Sequence, residues 1–326
     1  MRPTTIALCC LPAVLAGSLC PGTSITGPVA GYVADSDGPV LRTIFGVPGS
    51  FRFSDPLALP DGVTQLRIAP GQDYALAEVS GSSLSVLSLS GGAASGLTAL
   101  EWALPSPDWI AFSPQSQSAV LFSATSRRLQ IIAGLPDRPQ VALDLDSSVL
   151  PDIPRMASVS DDGKTLLVAS RRAIYLLPPD GSTPRTLLTA TQIVSLALFR
   201  DGTSAAVWDG VAGAIHLLQN VTSAPSDRVL VSGWKGAGTL YPSADGGTLF
   251  LVRPGAKSVF AHDVASGSMQ SFESPASART LDPLRNHDTF LISADRHQPG
   301  WIFYLDGTAG HVVFVPSPTP ATEDGQ

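Results

Sequence analysis

The chain contains very little cysteine and little charge. All three of its cysteines lie in the first 20 residues, so residues 21–326 can form no internal disulfide and offer no thiol nucleophile or cysteine metal site. Charged residues make up 14% of the chain, against about 25% in ordinary soluble domains. The net charge is −7, and no Lys/Arg run exceeds the pairs Arg127-Arg128 and Arg171-Arg172. Because nucleic-acid binding requires a basic surface, we expect no nucleic-acid partner.

Sustained helical periodicity is also missing. Short apolar runs alternate with turns instead, and the chain is rich in glycine (30) and proline (28). Apolar residues reach 44%, which is enough for a sizeable core. Many short strands joined by tight turns produce this composition, so we predict an all-β protein.

The N-terminus has a different character. "MRPTTIALCCLPAVLAGSLC" places one positive charge before an apolar run from Ile6 to Leu15, and small residues follow. This layout predicts a secretory signal peptide over residues 1–19, with cleavage after Ala16 or Ser18 and export to the periplasm, cell surface or medium. The run is too short to span a bilayer, so we expect no transmembrane segment after cleavage. A buried first strand is the alternative.

Cys20 raises the question of a lipid anchor. A bacterial lipoprotein would carry lipid on such a cysteine, but Leu19 stands where lipoprotein signals have a small residue. A soluble exported protein and a lipoprotein both stay open.

A turn followed by an apolar strand recurs along the chain. "SDDG" precedes "KTLLVAS", and similar pairs begin their strands at residues 73, 117, 164, 203, 247 and 289, which are 39 to 47 residues apart. Each pair has one strand before it and two after it. Four strands per 40–45 residues are typical of a β-propeller blade, in which stacked blades bury both faces of each sheet.

The sequence therefore predicts one β-propeller over residues 20–318, with six full repeats. The segment 27–47 contains two further strands, "GYVADS" and "LRTIFGV". It matches the outer half of a repeat, so it either forms a seventh, incomplete blade or pairs with the last one. Six and seven blades stay open. Residues 319–326 are acidic and follow a proline-rich stretch, and we predict a disordered tail there.

The stretches "GYVADSDGPVLRTIFGVPG" and "SDDGKTLLVASRRAIYLLPPDGSTPRTLL" resemble the YVTN and lactonase-like propeller repeats of exported bacterial proteins. The resemblance covers most of the chain and implies the propeller fold. Such propellers include enzymes and binding scaffolds, so it implies no single function. No catalytic motif of that group can be carried over to this sequence.

Histidines are the first candidates for metal or acid–base chemistry. None of the five belongs to a short metal-binding pair: His216, His262, His287, His297 and His311. We expect His287 and His297 at opposite ends of one strand, in turns. We expect His216 and His262 to be half-buried and hydrogen-bonded in third strands.

Two aspartate-rich loops, 34–38 and 144–152, could attract calcium, but both lack the EF-hand spacing and aspartate also initiates turns.

The five tryptophans are spread over different repeats, which favours blade packing over a shared stacking platform. The glycine-rich "GWKGAG" (233–238) lies between repeats and predicts a connecting loop. We therefore predict no metal site and no cofactor, and leave the catalytic residues unassigned.

Asp-Gly pairs occupy the same place in three repeats, at 162–163, 201–202 and 245–246. A catalytic residue is needed once in a ring, whereas a turn is needed once in each blade. We therefore interpret these pairs as turns in which glycine supplies a positive φ.

Two functions from different classes remain, besides a sensor or surface-exposed receptor domain anchored through Cys20, which would require lipid on that cysteine. The first is an exported, non-enzymatic binding or scaffold module for an unknown protein or small molecule. The second is a lactonase-like or other hydrolytic enzyme with a metal or an acid–base set in the central channel. They differ in whether His, Asp, Glu or Arg side chains converge at one mouth of that channel.

Overall fold

The structure is a computed structural model. It describes residues 27–34, 38–80, 84–278, 280–286, 288–292 and 300–316. Within these ranges the chain forms 27 β-strands and a short 3-10 turn at Ser147–Val149, with no α-helix. No helix there could cross a bilayer. The predicted all-β propeller is confirmed. The predicted signal peptide, Cys20 and the predicted disordered tail lie outside the described residues.

The strands form seven sheets in chain order. Blade 1 contains β1 (Val29–Ala34), β2 (Leu41–Val47) and β3 (Ser50–Pro56). Blade 2 contains β4 (Val63–Ile68), β5 (Tyr74–Val79), β6 (Leu84–Ser90) and β7 (Ala93–Ala99). Blade 3 contains β8 (Trp109–Phe112), β9 (Ser118–Ser123), β10 (Arg128–Ala133) and β11 (Gln140–Asp146). Blade 4 contains β12 (Met156–Val159), β13 (Leu166–Ala169), β14 (Ala173–Leu177) and β15 (Arg185–Thr189).

The remaining three blades repeat the plan. Blade 5 contains β16 (Ile193–Leu198), β17 (Ala205–Asp209), β18 (Ala214–Gln219) and β19 (Ser226–Val231). Blade 6 contains β20 (Thr239–Pro242), β21 (Thr248–Val252), β22 (Ser258–Asp263) and β23 (Met269–Glu273). Blade 7 contains β24 (Leu281–Pro283), β25 (Thr289–Ile292), β26 (Gly300–Asp306) and β27 (Ala309–Val315).

We call the four strands of blades 2–7 A, B, C and D in chain order. Neighbouring strands within each sheet are antiparallel. The A strands of successive blades contact one another, as β8 does with β12, β12 with β16 and β16 with β20. The A strands therefore surround the central channel, and the D strands lie on the outside of the ring.

Blade 1 consists of strands B, C and D. In blade 2 the end of strand C is bonded to the start of strand B through Leu89 N and Asp73 O, at 2.8 Å. The same bond in blade 1 joins Gly46 N to Pro28 O, at 2.8 Å. The segment that was predicted to contain two strands thus begins a seventh blade, to which β3 adds a third strand. In the described residues this blade has no strand A.

The core lies between the blades. A separate buried apolar cluster fills each of the seven junctions of the ring in the described residues. Strand β9 shows why four consecutive residues of a strand, 119–122, are all apolar. Ala119 and Leu121 face blade 2, whereas Val120 and Phe122 face blade 4. Because alternate side chains point to opposite faces and both faces are covered, no position in the strand needs to be polar.

Candidate functional site

The turns between strands A and B form one mouth of the channel. In blade 4, Ser160 N donates to Thr165 O and Gly163 N donates to Ser160 O, both at 2.9 Å. The turns of blades 5 and 6 are closed by the same two bonds. Their fourth residue has a positive φ, of +71° at Gly163, +67° at Gly202 and +73° at Gly246. The interpretation of the Asp-Gly pairs as turns is confirmed.

The turns of blades 2 and 3 have a side chain where the turns of blades 4, 5 and 6 have glycine. The fourth residue is Gln72 in blade 2 and Ser116 in blade 3, with φ of +62° and +67°. A positive φ is unfavourable for these residues by about 1 kcal/mol, which makes a use for their side chains worth seeking. Ser116 Oγ accepts a hydrogen bond from Gly71 N of the preceding blade, at 2.7 Å. Its side chain therefore ties two turns together.

Gln72 has a larger part in the ring. Its side chain is 4% exposed. Its Oε1 accepts from Tyr32 N on β1 at 2.5 Å, and its Nε2 donates to Pro283 O on β24 at 2.7 Å. The one side chain therefore joins blades 1, 2 and 7 beside the inner edge of β1, where blade 1 has no described strand A.

Arg285 completes this connection from blade 7. Its backbone N donates to Ala30 O on β1, at 2.9 Å. Its guanidinium donates to Gln72 O and to Leu89 O, and lies over the ring of Tyr32 at 5.5 Å. We call Gln72 and Arg285 the clasp. The clasp bonds the inner edge of β1 and links blade 7 directly to blade 2.

Beside the clasp, no described strand covers the side of the blade 7 inner strand that faces blade 1. Asp282 pairs with Leu291, whose side chain packs in the junction with blade 1, so Asp282 faces blade 1 as well. Its side chain keeps solvent-accessible surface. The protein atoms packed around it nevertheless desolvate the carboxyl and raise the pKa of Asp282 to about 6, although a hydrogen bond with Thr280 acts in the opposite direction.

A cavity of about 250 Å³ opens at the mouth. The second residue of five A–B turns lines it: Pro70, Pro114, Arg200, Ala244 and Arg285. A second cavity of about 210 Å³ lies along the A strands and shares Pro70, Pro114, Arg200 and Tyr241 with the first. The two cavities are therefore adjacent, and Arg200 and Tyr241 line both of them.

The charged groups at this mouth differ in their partners. The second residue of the blade 4 turn, Asp161, accepts from Gln115 N at 2.8 Å and from its Nε2 at 3.2 Å. Arg285 is held in the clasp, and Asp288 accepts from Ala244 N at 3.3 Å. Arg200 has no hydrogen bond or ion pair with any residue that the structure describes. Its half-buried guanidinium is available to a ligand.

Tyr241 provides a second donor. Its ring packs edge-on against Phe290 at 4.8 Å, and its hydroxyl bonds to no described residue. The pKa of Tyr241 is raised to about 12, mainly by burial; the nearby charge of Arg200 lowers it and that of Asp288 raises it, and both of these contributions are smaller. The hydroxyl is therefore protonated at neutral pH and can donate a hydrogen bond.

The residues that the sequence singled out lie elsewhere. His216 bonds to Asp227 at 2.9 Å and is mostly buried, as expected. His262 is 1% exposed, and neither of its ring nitrogens forms a hydrogen bond of good geometry within the described residues, although the Leu230 backbone lies nearby. The expectation of a half-buried, hydrogen-bonded side chain was therefore wrong there. Burial lowers the pKa of His262, which keeps the ring neutral. His311 stacks on Tyr304 at 4.9 Å. His287 and His297 lie outside the described residues.

The aspartates of the 144–152 loop do not converge. Asp144 pairs with Arg128 at 2.6 Å, and Asp146 caps the 3-10 turn by accepting from Ser148 N. Asp152 accepts from the Tyr175 hydroxyl at 3.4 Å. Residues 35–37 of the other loop are not described. No group of three or more His, Cys, Asp or Glu residues in the described ranges could hold a metal ion.

Four of the five tryptophans and the glycine-rich loop are structural in the described part, whereas Trp102 is 42% exposed. Trp208 is fully buried, and its Nε1 donates to Trp234 O at 2.8 Å. Trp109 stacks on Phe122 at 5.2 Å, and Trp301 packs against Phe314. The "GWKGAG" loop connects blades 5 and 6, as predicted. A Cβ on its Gly238 would come within 2.0 Å of the Trp208 ring, which explains the glycine.

Sequence reasoning missed the residues of the mouth. Arg200 and Arg285 belong to no motif that the sequence analysis singled out. Aligning the turns by their first residue would have shown that both arginines occupy the second position. That alignment is the signal that could have found them.

Comparisons with known proteins agree on the fold. No family model matches the chain, and no curated protein matches it. A solved structure of a functionally unknown protein from Desulfotomaculum acetoxidans aligns with a TM-score of 0.58 and 15% identity, over 88% of this chain and 99% of that one. A protein from Lactobacillus plantarum aligns with a TM-score of 0.58 and 14% identity, over 89% and 96%. At such low identity these similarities show the propeller architecture alone.

Proposed function

We propose that this protein is an exported binding module whose ligand enters the central channel at the mouth formed by the A–B turns. The observation that supports this is Arg200. This residue is half-buried and has no hydrogen-bond or ion-pair partner among the described residues. It lines two adjacent cavities. Concave sites with a few convergent polar groups are where small ligands usually bind.

The mouth can be blocked to test this proposal. Ala244 lines the cavity and contributes a small side chain, so Ala244→Trp would fill the entrance. We expect native mass spectrometry, after incubation with the small-molecule fraction of the producing cells, to show a bound compound on the unaltered protein. Ala244→Trp should lose it. Ala265→Trp, at an exposed alanine in an outer turn of the same blade, should retain it.

The same experiment addresses the hydrolytic alternative. A binding module returns its ligand chemically unchanged, whereas a lactonase-like enzyme would release it with water added. Recovery of the intact compound after prolonged incubation is the expected result. Equal binding by the unaltered protein and Ala244→Trp would contradict the channel as the site.

We also propose export through the N-terminal segment 1–19 and a place for the repeats beside the YVTN or lactonase-like propellers. The composition of the N-terminal segment supports the first proposal. The turn-strand sequence pattern of "SDDGKTLLVAS" supports the second. N-terminal sequencing of protein from its producing cells should begin at residue 17 or 19. An intact Met1 on soluble cytosolic protein would contradict export. The intact mass of the mature protein would reveal lipid on Cys20.

A further inference from the structure

Three of the six described A–B turns carry a charged second residue, and two of these charges are already bonded. Asp161 holds Gln115, and Arg285 holds the carbonyls of Gln72 and Leu89. Arg200 occupies the same position in blade 5 without such a bond. A structural role accounts for the first two residues, and a ligand would account for the third.

Arg200 and Tyr241 offer the same kind of interaction. A guanidinium can only donate hydrogen bonds, and a protonated phenol bonded to nothing in the described chain has its donor available. Both line both cavities. A hydrogen-bond acceptor with negative charge is therefore the group that fits between them. A carboxylate accepts two donors at once and matches the planar guanidinium.

The deeper cavity favours a different part of the ligand. Small and apolar residues dominate its wall, including Ala111, Phe112, Ala157, Leu196 and Ala197. This wall can cover an aliphatic body and gains stability from the apolar area removed from water. In the mouth above it, Asp288 is a negative group that disfavours a second anionic charge on the ligand.

We infer that the channel binds a small monocarboxylate with an apolar body, its carboxylate at Arg200 and Tyr241 and its apolar body in the deeper cavity. This inference rests on the proposed function and specifies the ligand class of the same site. The arrangement requires the chain's own residues alone and no covalent step.

Titration calorimetry with three matched probes tests the inference on the mature protein. The probes are hexanoate, 1-hexanol and hexylamine, with butanoate and octanoate to vary the length. We expect hexanoate to bind at least about tenfold more tightly than hexanol, because a bond to a charged group contributes about 1.5–3 kcal/mol. Hexylamine should bind more weakly than hexanol.

Variants separate the two donors. Arg200→Gln should remove the preference for hexanoate over hexanol, whereas Arg200→Lys should retain part of it. Tyr241→Phe should weaken hexanoate by about tenfold or more, because the lost hydrogen bond is one to a charged carboxylate, and it should affect hexanol less. Arg171→Gln, at an exposed arginine in the B–C turn of blade 4, should change nothing. Thermal unfolding of each variant establishes that it is folded.

The outcomes distinguish the inference from the proposed function. Equal binding of hexanoate and hexanol by the unaltered protein would overturn the inference and leave channel binding intact. So would a preference for hexanoate that survives in Arg200→Gln. Failure of all five probes would overturn the monocarboxylate assignment, while the Ala244→Trp comparison with cell extract would still decide the proposed function.

Discussion

Blade 1 and blade 4 complete the same ring in different ways. Blade 4 has an A strand, β12, that contacts β8 and β16 on its two sides. Blade 1 has no described A strand, and at its inner edge the clasp takes over the bonding. The edge of β1 is met by a side-chain oxygen from Gln72 and a backbone N–H from Arg285. Blade 4 thus needs only glycine in its turn, whereas the incomplete blade 1 is bonded by specific side chains from its neighbours.

The comparison accounts for an unusual residue. Blade 4 has Gly163 at the fourth position of its A–B turn, and blade 2 has Gln72 there, with a similar φ. Because the Gln72 side chain bonds two backbone groups of other blades, its unfavourable backbone conformation is offset by ring closure. The neighbouring glycine on β1 fits the same explanation. A Cβ on Gly31 would approach Leu284 Cδ2 to 2.7 Å and Gln72 Oε1 to 3.1 Å.

Removing the clasp should have the largest effect on stability. Gln72→Ala leaves Tyr32 N and Pro283 O buried without partners, and we expect it to lower the free energy of unfolding by about 3 kcal/mol. Urea denaturation measures the change. Gln65→Ala, at an exposed glutamine on strand A of the same blade, should be nearly neutral. A loss below about 1 kcal/mol in Gln72→Ala would show that the clasp does not close the ring.

The turn of blade 4 should respond to its backbone and its packing. Gly163→Val should cost about 2 kcal/mol, because a β-branched residue resists a positive φ. Gly163 and Gly181 share a φ of +71°, but a Cβ at Gly163 meets Ala133 Cβ at 3.1 Å and one at Gly181 meets nothing within 4 Å. Gly163→Ala should therefore cost more than Gly181→Ala. Equal denaturation midpoints for the two variants would contradict the packing contribution.

The aspartate of that turn should be replaceable. Asp162 Oδ1 accepts from Ser160 Oγ at 2.6 Å and from Lys164 N at 3.0 Å, and these bonds lower its pKa. Asparagine keeps an acceptor at the same position, so Asp162→Asn should change stability little. Loss of ligand binding in a stable Asp162→Asn protein would contradict the structural role.

The turns of the regular blades were predictable from sequence, and the clasp was not. Asp-Gly pairs recur at a fixed place because each blade solves the same local steric problem, so comparison within the chain reveals them. The clasp joins residues 213 positions apart, and only closure of the ring brings Gln72 and Arg285 together. The same holds for the mouth. Arg200 and Tyr241 belong to different blades, and no local pattern shows that their side chains share a cavity.

Asp282, on the inner strand of blade 7, should make the stability of the protein depend on pH. Its pKa is raised in the folded protein to about 6, so the folded state binds more protons than the unfolded state between pH of about 4 and 6. Stability from this group is therefore present at low pH and lost as pH rises through that window. Asp282→Asn should remove the loss and stabilise the protein at pH 7 by less than about 1 kcal/mol, since solvent screens an accessible group.

The measurement is the pH dependence of the unfolding free energy in both proteins. Asp61→Asn, at an exposed aspartate before β4, provides the control and should leave the pH profile unchanged. If Asp282→Asn has the same pH profile as the unaltered protein, the raised pKa of Asp282 and the burial that causes it are contradicted.

Asp161 can be compared directly with Gln72, because both side chains bond the turn of one blade to a neighbouring blade. The Asp161 carboxylate accepts from Gln115 at two atoms, but these bonds are exposed. In Asp161→Ala, water can replace the carboxylate at Gln115 N, so no buried donor is left unpaired. We expect a loss of about 0.5–1 kcal/mol, the net value of hydrogen bonds that water can replace.

Added salt should weaken this contribution and should leave the effect of Gln72→Ala unchanged, because the clasp bonds of Gln72 involve no charge. Urea denaturation at two salt concentrations, with both variants in parallel, measures the contrast. Equal losses for the two variants, with equal salt dependence, would mean that the turn bridges contribute alike around the ring and that blade 1 needs no special closure.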